Sequence, residues 1–287
     1  MKNTILVIGG TGQVGTALVD LLKTNNSDFK LLLRNTDKQA AFKSREIDSV
    51  VGALGDWPSI DNALKGISTV FLLTSNDPQM FEKHKQLIDR AVSAGVKKIV
   101  RLSAQPADAN CDMDMYRLHG EADNYLQQTN IEHVILRPTY FLQNISVMHA
   151  YFIKTNNAFA QYLGDTRIPM IDIRDIANAA YQSLTSDQFN NGIYYLTGPK
   201  AVNYTEFAQT LSDTLGRTIS YQPLSYDEQL TGLKAAGLPD WVLDTVMKLF
   251  KQWVENDDHT VSGDLEILTN NKGISIQQFC EDYATEF

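Results

Sequence analysis

The sequence predicts an α/β chain built on a doubly wound parallel sheet, and three observations carry that prediction. The first is a short apolar run, Thr4-Ile5-Leu6-Val7-Ile8, rich in β-branched residues and closed by glycine. It reads as a strand buried on both faces. The second comes directly after that run: Gly9, Gly10, Gly12 and Gly15, then Ala17, Leu18, Leu21 and Leu22 at helical spacing. The third is the regular return of the same alternation, apolar run then amphipathic segment, as far as His133-Val134-Ile135-Leu136. Strands and helices in that rhythm make a parallel sheet with helical crossovers. The expected layout is a Rossmann domain over residues 1–145 and a smaller, mainly helical substrate lobe over 146–287, with about 168–198 returning to the core.

Strand, tight glycine turn and helix in immediate succession form the unit that binds a dinucleotide. The turn needs φ values that glycine adopts cheaply, and the backbone must approach the pyrophosphate with no Cβ in the way. The helix then offers free N–H groups and its positive dipole end to the phosphates. Gly9, Gly12 and Gly15 spell G-x-x-G-x-x-G rather than G-x-G-x-x-G, so it is the strand-to-helix context that supports the reading. The alternative is a glycine-rich turn that only lets helix and strand pack closely.

The remaining elements come in order. Asn25-Asn26-Ser27-Asp28 is a turn cluster, and Phe29-Lys30-Leu31-Leu32-Leu33 the second strand. It ends in Arg34, with Lys38 one helical turn further on. An acidic residue at this junction accepts from the ribose 2′-OH of NAD, whereas a basic one suits the 2′-phosphate of NADP. Arg34 therefore points to NADP(H) in preference to NAD(H), against the alternative of a solvated strand end. Helix 39–45, strand 49–54 and the turn Gly55-Asp56-Trp57-Pro58 come next; Asp56 is either a contact for the adenine end of a cofactor or a cap for helix 58–64. Strand 68–73 is central by its apolarity and delivers Thr74-Ser75-Asn76-Asp77-Pro78 at its carboxyl end, where ligands sit in open parallel sheets. Helix 81–94 closes on Gly95, strand 97–102 leads into Ser103, helix 115–129 comes next, and Arg137-Pro138-Thr139-Tyr140-Phe141 leaves strand 133–136 as a loop. Beyond it are an aromatic-rich helix at 145–156, a short strand at 168–171, helix 176–184, a strand at 193–196, helix 205–215 closed by Gly216, and a helical tail from Leu224.

A net charge of −9 argues against non-specific binding to nucleic acid or anionic membranes, which want a basic surface. Cys111 and Cys280 fit neither a disulfide framework nor a zinc site. The chain opens directly on a core strand, and no apolar run approaches the ~20 residues of a membrane helix. A cytoplasmic protein with no signal peptide and no metal site is expected.

These residues resemble the NmrA-like branch of the atypical short-chain dehydrogenase/reductases, and within it bacterial NAD(P)H:quinone oxidoreductases. The likeness is carried by VIGGTGQVG at 7–15, Arg34, Gly55-Asp56, HKQLIDRAVSAGVKKIVRLSA at 84–104, HGEADNYLQQTNIEHVILRPTYFLQN at 119–144, IDIRDIANAA at 171–180 and YYLTGPKAVNYTEFAQTLSDTLGR at 194–217. The resemblance implies that Gly9, Thr11, Gly12, Gln13, Val14 and Gly15 cradle the pyrophosphate and that Arg34 takes the 2′-phosphate. It implies that Leu73, Thr74 and Ser75 line the adenosine and ribose side, and that Pro138, Thr139, Tyr140 and Phe141 approach the nicotinamide. Helix 145–156 and the C-terminal helices would wall in the substrate.

The chemistry departs from the usual short-chain dehydrogenase pattern, in which a Tyr and a Lys four residues apart share a helix. No tyrosine here is followed by lysine at that spacing. By the family pattern Met115 takes the tyrosine place, with Tyr116 beside it, and His119 the lysine place. Quinone reduction makes smaller demands: a flat apolar slot beside the nicotinamide and a hydrogen-bond donor or two. Tyr140, Phe141, Tyr151, Phe152 and Phe159 could form the slot, with core packing as the alternative for each. His119 could contact the ribose or give a proton at neutral pH, or be a solvated or capped histidine on a surface helix. The catalytic candidates are thus His119 and Tyr140, and the expected partner is a quinone-like small molecule, with homodimerisation left open. A second class of function is a non-catalytic NADP(H)-binding redox sensor that reports to a protein partner. An isomerase or epimerase would need the missing Tyr and Lys.

Overall fold

A computed structural model describes residues 4–256 and 259–287. The chain alternates from its start through β1 (Ile5–Ile8), α1 (Gln13–Thr24), β2 (Phe29–Leu33), α2 (Gln39–Ser44), β3 (Asp48–Val51) and α3 (Trp57–Ala63). It continues through β4 (Thr69–Leu72), α4 (Met80–Ser93), β5 (Lys98–Leu102), α5 (Asp114–Gln127) and β6 (Glu132–Pro138). Next come α6 (Gln143–Asn156), β7 (Ala158–Gln161), α7 (Ile173–Thr185), β8 (Gly192–Leu196), α8 (Tyr204–Leu215) and β9 (Ser220–Pro223). Helices α9 (Tyr226–Ala235), α10 (Asp240–Asn256), α11 (Asp264–Thr269) and α12 (Ile276–Asp282) occupy the C-terminal stretch.

Seven strands form one sheet in the order β3-β2-β1-β4-β5-β6-β8, with the pairs from β3 through to β6 all parallel. The order reverses between β1 and β4, the switch point at which an open α/β sheet binds its ligand. The chain clusters into two compact units. The first runs to Pro138 and takes back Ile173–Tyr195 and Ile267–Asn270; the second holds Thr139–Asp172, Leu196–Glu266 and Asn271–Phe287.

In the first unit, alternate residues of the central strands (Leu6, Ile8, Val70, Leu72, Ile99, Ile135) pack on Ile60 of α3, on Leu64 at its C-cap and on Leu87, Ile88 and Ala91 of α4. A fully buried aliphatic side chain of this kind stabilises the fold by about 1.5–3 kcal/mol. Helix α7 packs beside α1 and against β4, β5 and β6. Gly95 ends α4 at φ 78°, its N–H reaching the Val92 carbonyl while that of Val96 reaches Ala91, the Schellman pattern that only a left-handed residue allows cheaply. In the second unit Phe159, Tyr204, Phe207, Phe250, Phe279 and Phe287 form an aromatic core, and helix α8 starts on a full capping box between Asn203 and Glu206.

Three local expectations need correction. Arg137 and Pro138 belong to β6 rather than to a loop: the register with β5 ends at Leu102 opposite Leu136, and beyond it the extended backbone is held by Gln105 N–H donating to the Pro138 carbonyl at 3.0 Å. Ile168 and Ile171 make only isolated bridges, to Val202 and Phe141, and no strand. Strands β7 and β9, which the sequence pattern does not announce, pair with each other in parallel, Phe159 opposite Tyr221. Both cysteines are free thiols, and no helix among the described residues is long and apolar enough to cross a membrane.

Candidate functional site

The glycine turn does two different jobs. A Cβ at Gly9, where φ is 86°, would run into the Leu73 carbonyl, and one at Gly15 into the Gly9 carbonyl and Gly10 Cα. These two glycines let β1, α1 and the exit of β4 meet backbone to backbone. Gly12 is different. A Cβ there would find its nearest neighbour, the Gly9 carbonyl, 3.5 Å away, so close packing does not demand glycine at this position. Gly12 is exposed and stands at the N-cap of α1 with extended backbone, and no side chain caps the helix. The intrahelical ladder begins with Thr16 N–H to the Gly12 carbonyl at 2.8 Å. The first-turn amides of Gln13 and Val14 are therefore left for an external acceptor, beside the exposed Thr11. Gly15→Ala is expected to cost about 1–3 kcal/mol, the penalty of forcing a methyl into packed backbone. A thermal melt that does not move would contradict the close approach.

The other sheet-edge residues of the first unit fall where parallel strands end. Arg34 comes after β2 with its guanidinium exposed, and neither it nor Lys38 pairs with a carboxylate among the described residues. Asp56 stands at the N-cap of α3, yet its carboxylate makes no capping bond; of its two readings, the helix cap is not formed. Ser59 does the local work instead, its hydroxyl accepting from Ala53 N–H at 3.3 Å and donating to the Asp56 carbonyl at 2.7 Å. Leu73 and Thr74 are half-buried and Ser75 exposed at the exit of β4. Pro138 is buried at the end of β6, its carbonyl accepting from Gln105 N–H at 3.0 Å. Ser103 is turned inward, its hydroxyl donating to Asp123 at 2.8 Å.

Beneath this edge lies a polar network that the sequence alone does not reveal. Arg101, on the central strand β5, is fully buried and pairs with the equally buried Asp123 of α5. Asp123 also accepts from Arg137 Nε at 2.9 Å. Arg101 Nε lies 3.3 Å from His84 Nδ1 and its Nη2 3.1 Å from His119 Nδ1. The far nitrogens continue outward, His84 Nε2 to Thr74 Oγ1 at 2.9 Å and His119 Nε2 to Asn76 Oδ1 at 3.0 Å. Burial first, and then the Arg101 charge, hold both imidazoles well below their ordinary titration range. His119 is thus neither solvated nor a capping group on a surface helix: it is buried, neutral at physiological pH and engaged through both nitrogens.

The second unit places Tyr140 edge-on to Trp253 at 5.6 Å and to Phe250 at 6.4 Å between ring centroids, with its hydroxyl donating to Met148 Sδ at 3.3 Å. Burial pushes the phenol up to about 12, so it remains a protonated donor. Phe141 is half-buried and its backbone bridges to Ile171. Phe159 is 2% exposed and packed among Tyr204, Phe207 and Tyr221; the core alternative holds for it. Tyr151 and Phe152, at 72% and 51% exposed, form an edge-to-face pair on α6.

The family model described as "NmrA-like family" matches residues 1–286. The chain belongs to the NmrA-like family. It is 31% identical over 246 residues to an NAD(P)H azoreductase of Xenophilus azovorans, covering 86% of each chain. It is 28% identical over 243 residues to quinone oxidoreductase 2 of Escherichia coli, covering 84% of each. Among solved structures it is similar to the NADPH complex of an Escherichia coli NADPH-dependent quinone oxidoreductase, with a TM-score of 0.86 at 24% identity over 98% of this chain and 99% of the other, a likeness of fold.

In this NmrA-like chain the residues missed by sequence reasoning are Arg101, Asp123, His84, Arg137 and Asn76. Two signals were available. A charge inside the apolar run Lys98-Ile99-Val100-Arg101-Leu102 is out of place in a central strand. His84 also shares the i, i+3, i+4, i+7 stripe of Leu87, Ile88 and Ala91, which marks it as inward-facing.

Proposed function

We propose that this NmrA-like protein binds NADP(H) in preference to NAD(H) and reduces quinone-like electrophiles. The observation that carries it is the uncapped start of α1 at the open Gly12, together with Arg34 and Lys38 after β2, two cations with no carboxylate partner among the described residues. A cradle of free amides fits a pyrophosphate. An exposed guanidinium with no carboxylate paired to it among the described residues fits a dianionic 2′-phosphate better than a ribose hydroxyl.

When bound, the reduced nicotinamide supplies the hydride. The chain's own residues bind and orient. Gly9, Thr11, Gly12, Gln13, Val14 and Gly15 hold the phosphates, Asp56 faces the adenine end, and Leu73, Thr74 and Ser75 line the ribose side. Ser103 steadies this edge through Asp123, and Pro138 approaches the nicotinamide. Tyr140 and Phe141 belong to the second unit; there the protonated Tyr140 phenol, which rests on the weak acceptor Met148 Sδ, is the donor that would turn to a substrate oxygen as it gains electron density. His119 is a ribose-side support rather than an acid, because its imidazole is neutral and its Nε2 is committed to Asn76. Carbonyl–alcohol chemistry would need an acid where Met115 stands; a quinone, whose reduced oxygens are themselves acidic, does not. The quinone oxidoreductase and the azoreductase among its relatives support this substrate class.

The test is to mix the purified chain with NADPH and a panel of small quinones and to track loss of the reduced nicotinamide absorbance. Saturable oxidation is expected. Arg34→Ala should raise the KM for NADPH about tenfold or more, the worth of a lost charge-assisted hydrogen bond, and leave kcat and the KM for NADH nearly unchanged. Saturable NADPH binding without turnover would replace the reductase with a redox sensor.

A further inference from the structure

Arg101 is the hub of a branched hydrogen-bond tree with two tips at the exit of β4. Arginine only donates. Each histidine nitrogen that faces it must therefore accept, which leaves the proton on the other ring nitrogen. For His84 the accepting atom is Nδ1, 3.3 Å from Arg101 Nε; for His119 it is Nδ1, 3.1 Å from Arg101 Nη2. Both protons then sit on Nε2, and both point outward: toward Thr74 Oγ1 at 2.9 Å and Asn76 Oδ1 at 3.0 Å. Thr74 consequently spends an oxygen lone pair on His84, and its hydroxyl hydrogen has no partner among the described residues. Asn76 spends its amide oxygen on His119, and its amide nitrogen, 3.0 Å from the weak acceptor Met115 Sδ, is the group left over at an exposed position.

We propose that Arg101 is a positioning residue that fixes His84 and His119 as Nε2–H tautomers and thereby makes Thr74 and Asn76 hydrogen-bond donors at the carboxyl end of β4. The ligand this edge takes is an acceptor: a hydroxyl, carboxamide or phosphate oxygen of the cofactor. The ligand half of the proposal rests on the dinucleotide reading of the glycine cradle. The charges facing the two rings are consistent with neutrality. His84 meets Arg101 and Lys83, beside the neutral His119 ring, and His119 meets Arg101 and Arg137; a protonated ring would add a cation to cations. The hub is itself fixed, because Asp123, which also takes hydrogen bonds from Ser103 and Arg137, holds Arg101 in place.

The experiment has two arms on the full chain. In the first, two-bond proton–nitrogen correlation spectra of cofactor-free protein with 15N-labelled histidine, assigned with His84→Gln and His119→Gln, read the tautomers directly. Both rings should show the Nε2–H pattern at neutral pH. An Nδ1–H pattern or a charged ring for either overturns the lock. In the second, NADPH affinity is compared for wild type, Thr74→Val and Thr74→Ser. Valine should weaken binding about fivefold, the worth of one hydrogen bond, with the His119 signals unmoved, and serine should restore it. Equal affinity for all three overturns the donor role. Arg101→Lys, which cannot reach both rings, should mix the tautomers and weaken NADPH together; where it fails to fold, the threonine pair and the spectra still decide. A wild-type chain that does not bind NADPH at all overturns the cradle and the ligand half with it, while the spectra judge the tautomer lock independently.

Discussion

Asp123→Leu is expected to lose about 3–5 kcal/mol of stability, the cost of leaving a buried charge without its partner. Against a total of about 5–15 kcal/mol for a folded domain, that is about a fifth or more of what holds the first unit together. Arg101 has no exposed surface, so its charge cannot turn to water when Asp123 is removed. Burial already lowers the guanidinium below its ordinary value, and the Asp123 charge is the largest influence opposing that shift. Arg137 is in a different position. Its side chain keeps 12% exposure and lies over the Tyr195 ring, 5.7 Å from the centroid, so it has somewhere to go. The loss should therefore be owed to Arg101, and a double variant tests that. Asp123→Leu with Arg101→Met removes both charges and replaces them with apolar volume, a change that is often neutral for a buried pair. It should recover at least half of the single variant's loss, read as the shift in urea midpoint. Equal losses in single and double variants would mean that the pair does not carry the energy assigned to it.

The framework of this fold was legible because its signals are local. A run such as Ile5-Leu6-Val7-Ile8 is apolar on both faces, and the helices between the strands carry 3.6-residue stripes, two of them ended by glycines at φ 78° and 65°. The glycine cradle was legible for the same reason, since its three demands (a turn, a close approach and an open face) fall within seven residues. What stayed hidden depends on partners far away in the chain. Strand β7 has one large apolar residue, Phe159, in four, and β9 ends in Pro223; neither reads as a strand until the other, some sixty residues on, supplies its ladder. Arg101 reads as a misplaced charge until Asp123 and two histidines from different helices close around it. Helix α5 shows its apolar stripe in Leu118, Ala122 and Leu126, and only the packing shows that the polar His119 and Asp123, at i+3 and i+7 from Tyr116, are buried beside it.

Acid should unfold this chain earlier than its ordinary composition implies, and histidines are the reason. His84 and His119 in the first unit and His149 in the second are each 6% exposed or less, and each is held below its ordinary value. His149 falls to about 4 by burial alone. The sign depends on which state takes the proton. Between an unfolded value near 6.5 and the lower folded value, the unfolded chain binds a proton that the folded chain refuses, so stability is whole above about pH 6.5 and drains as pH falls toward the folded value. For His149 the gap from 6.5 to about 4 amounts to ~3 kcal/mol once the pH reaches 4. Each of the three rings contributes up to about 1.4 kcal/mol per pH unit while it alone differs between the states. Urea midpoints measured from pH 7.5 down to pH 4.5 should fall steeply below about 6.5, and His149→Leu should flatten the limb that belongs to the second unit. His84→Gln and His119→Gln should flatten that of the first, with glutamine keeping an acceptor and a donor in each place. If the two units lose structure at separate midpoints, each variant moves only its own. A slope that His149→Leu leaves unchanged would mean that this ring is already charged in the folded chain, and its burial against Phe159 and Tyr204 would then have to be relieved by a partner that the packing of α6, β7 and α8 does not supply.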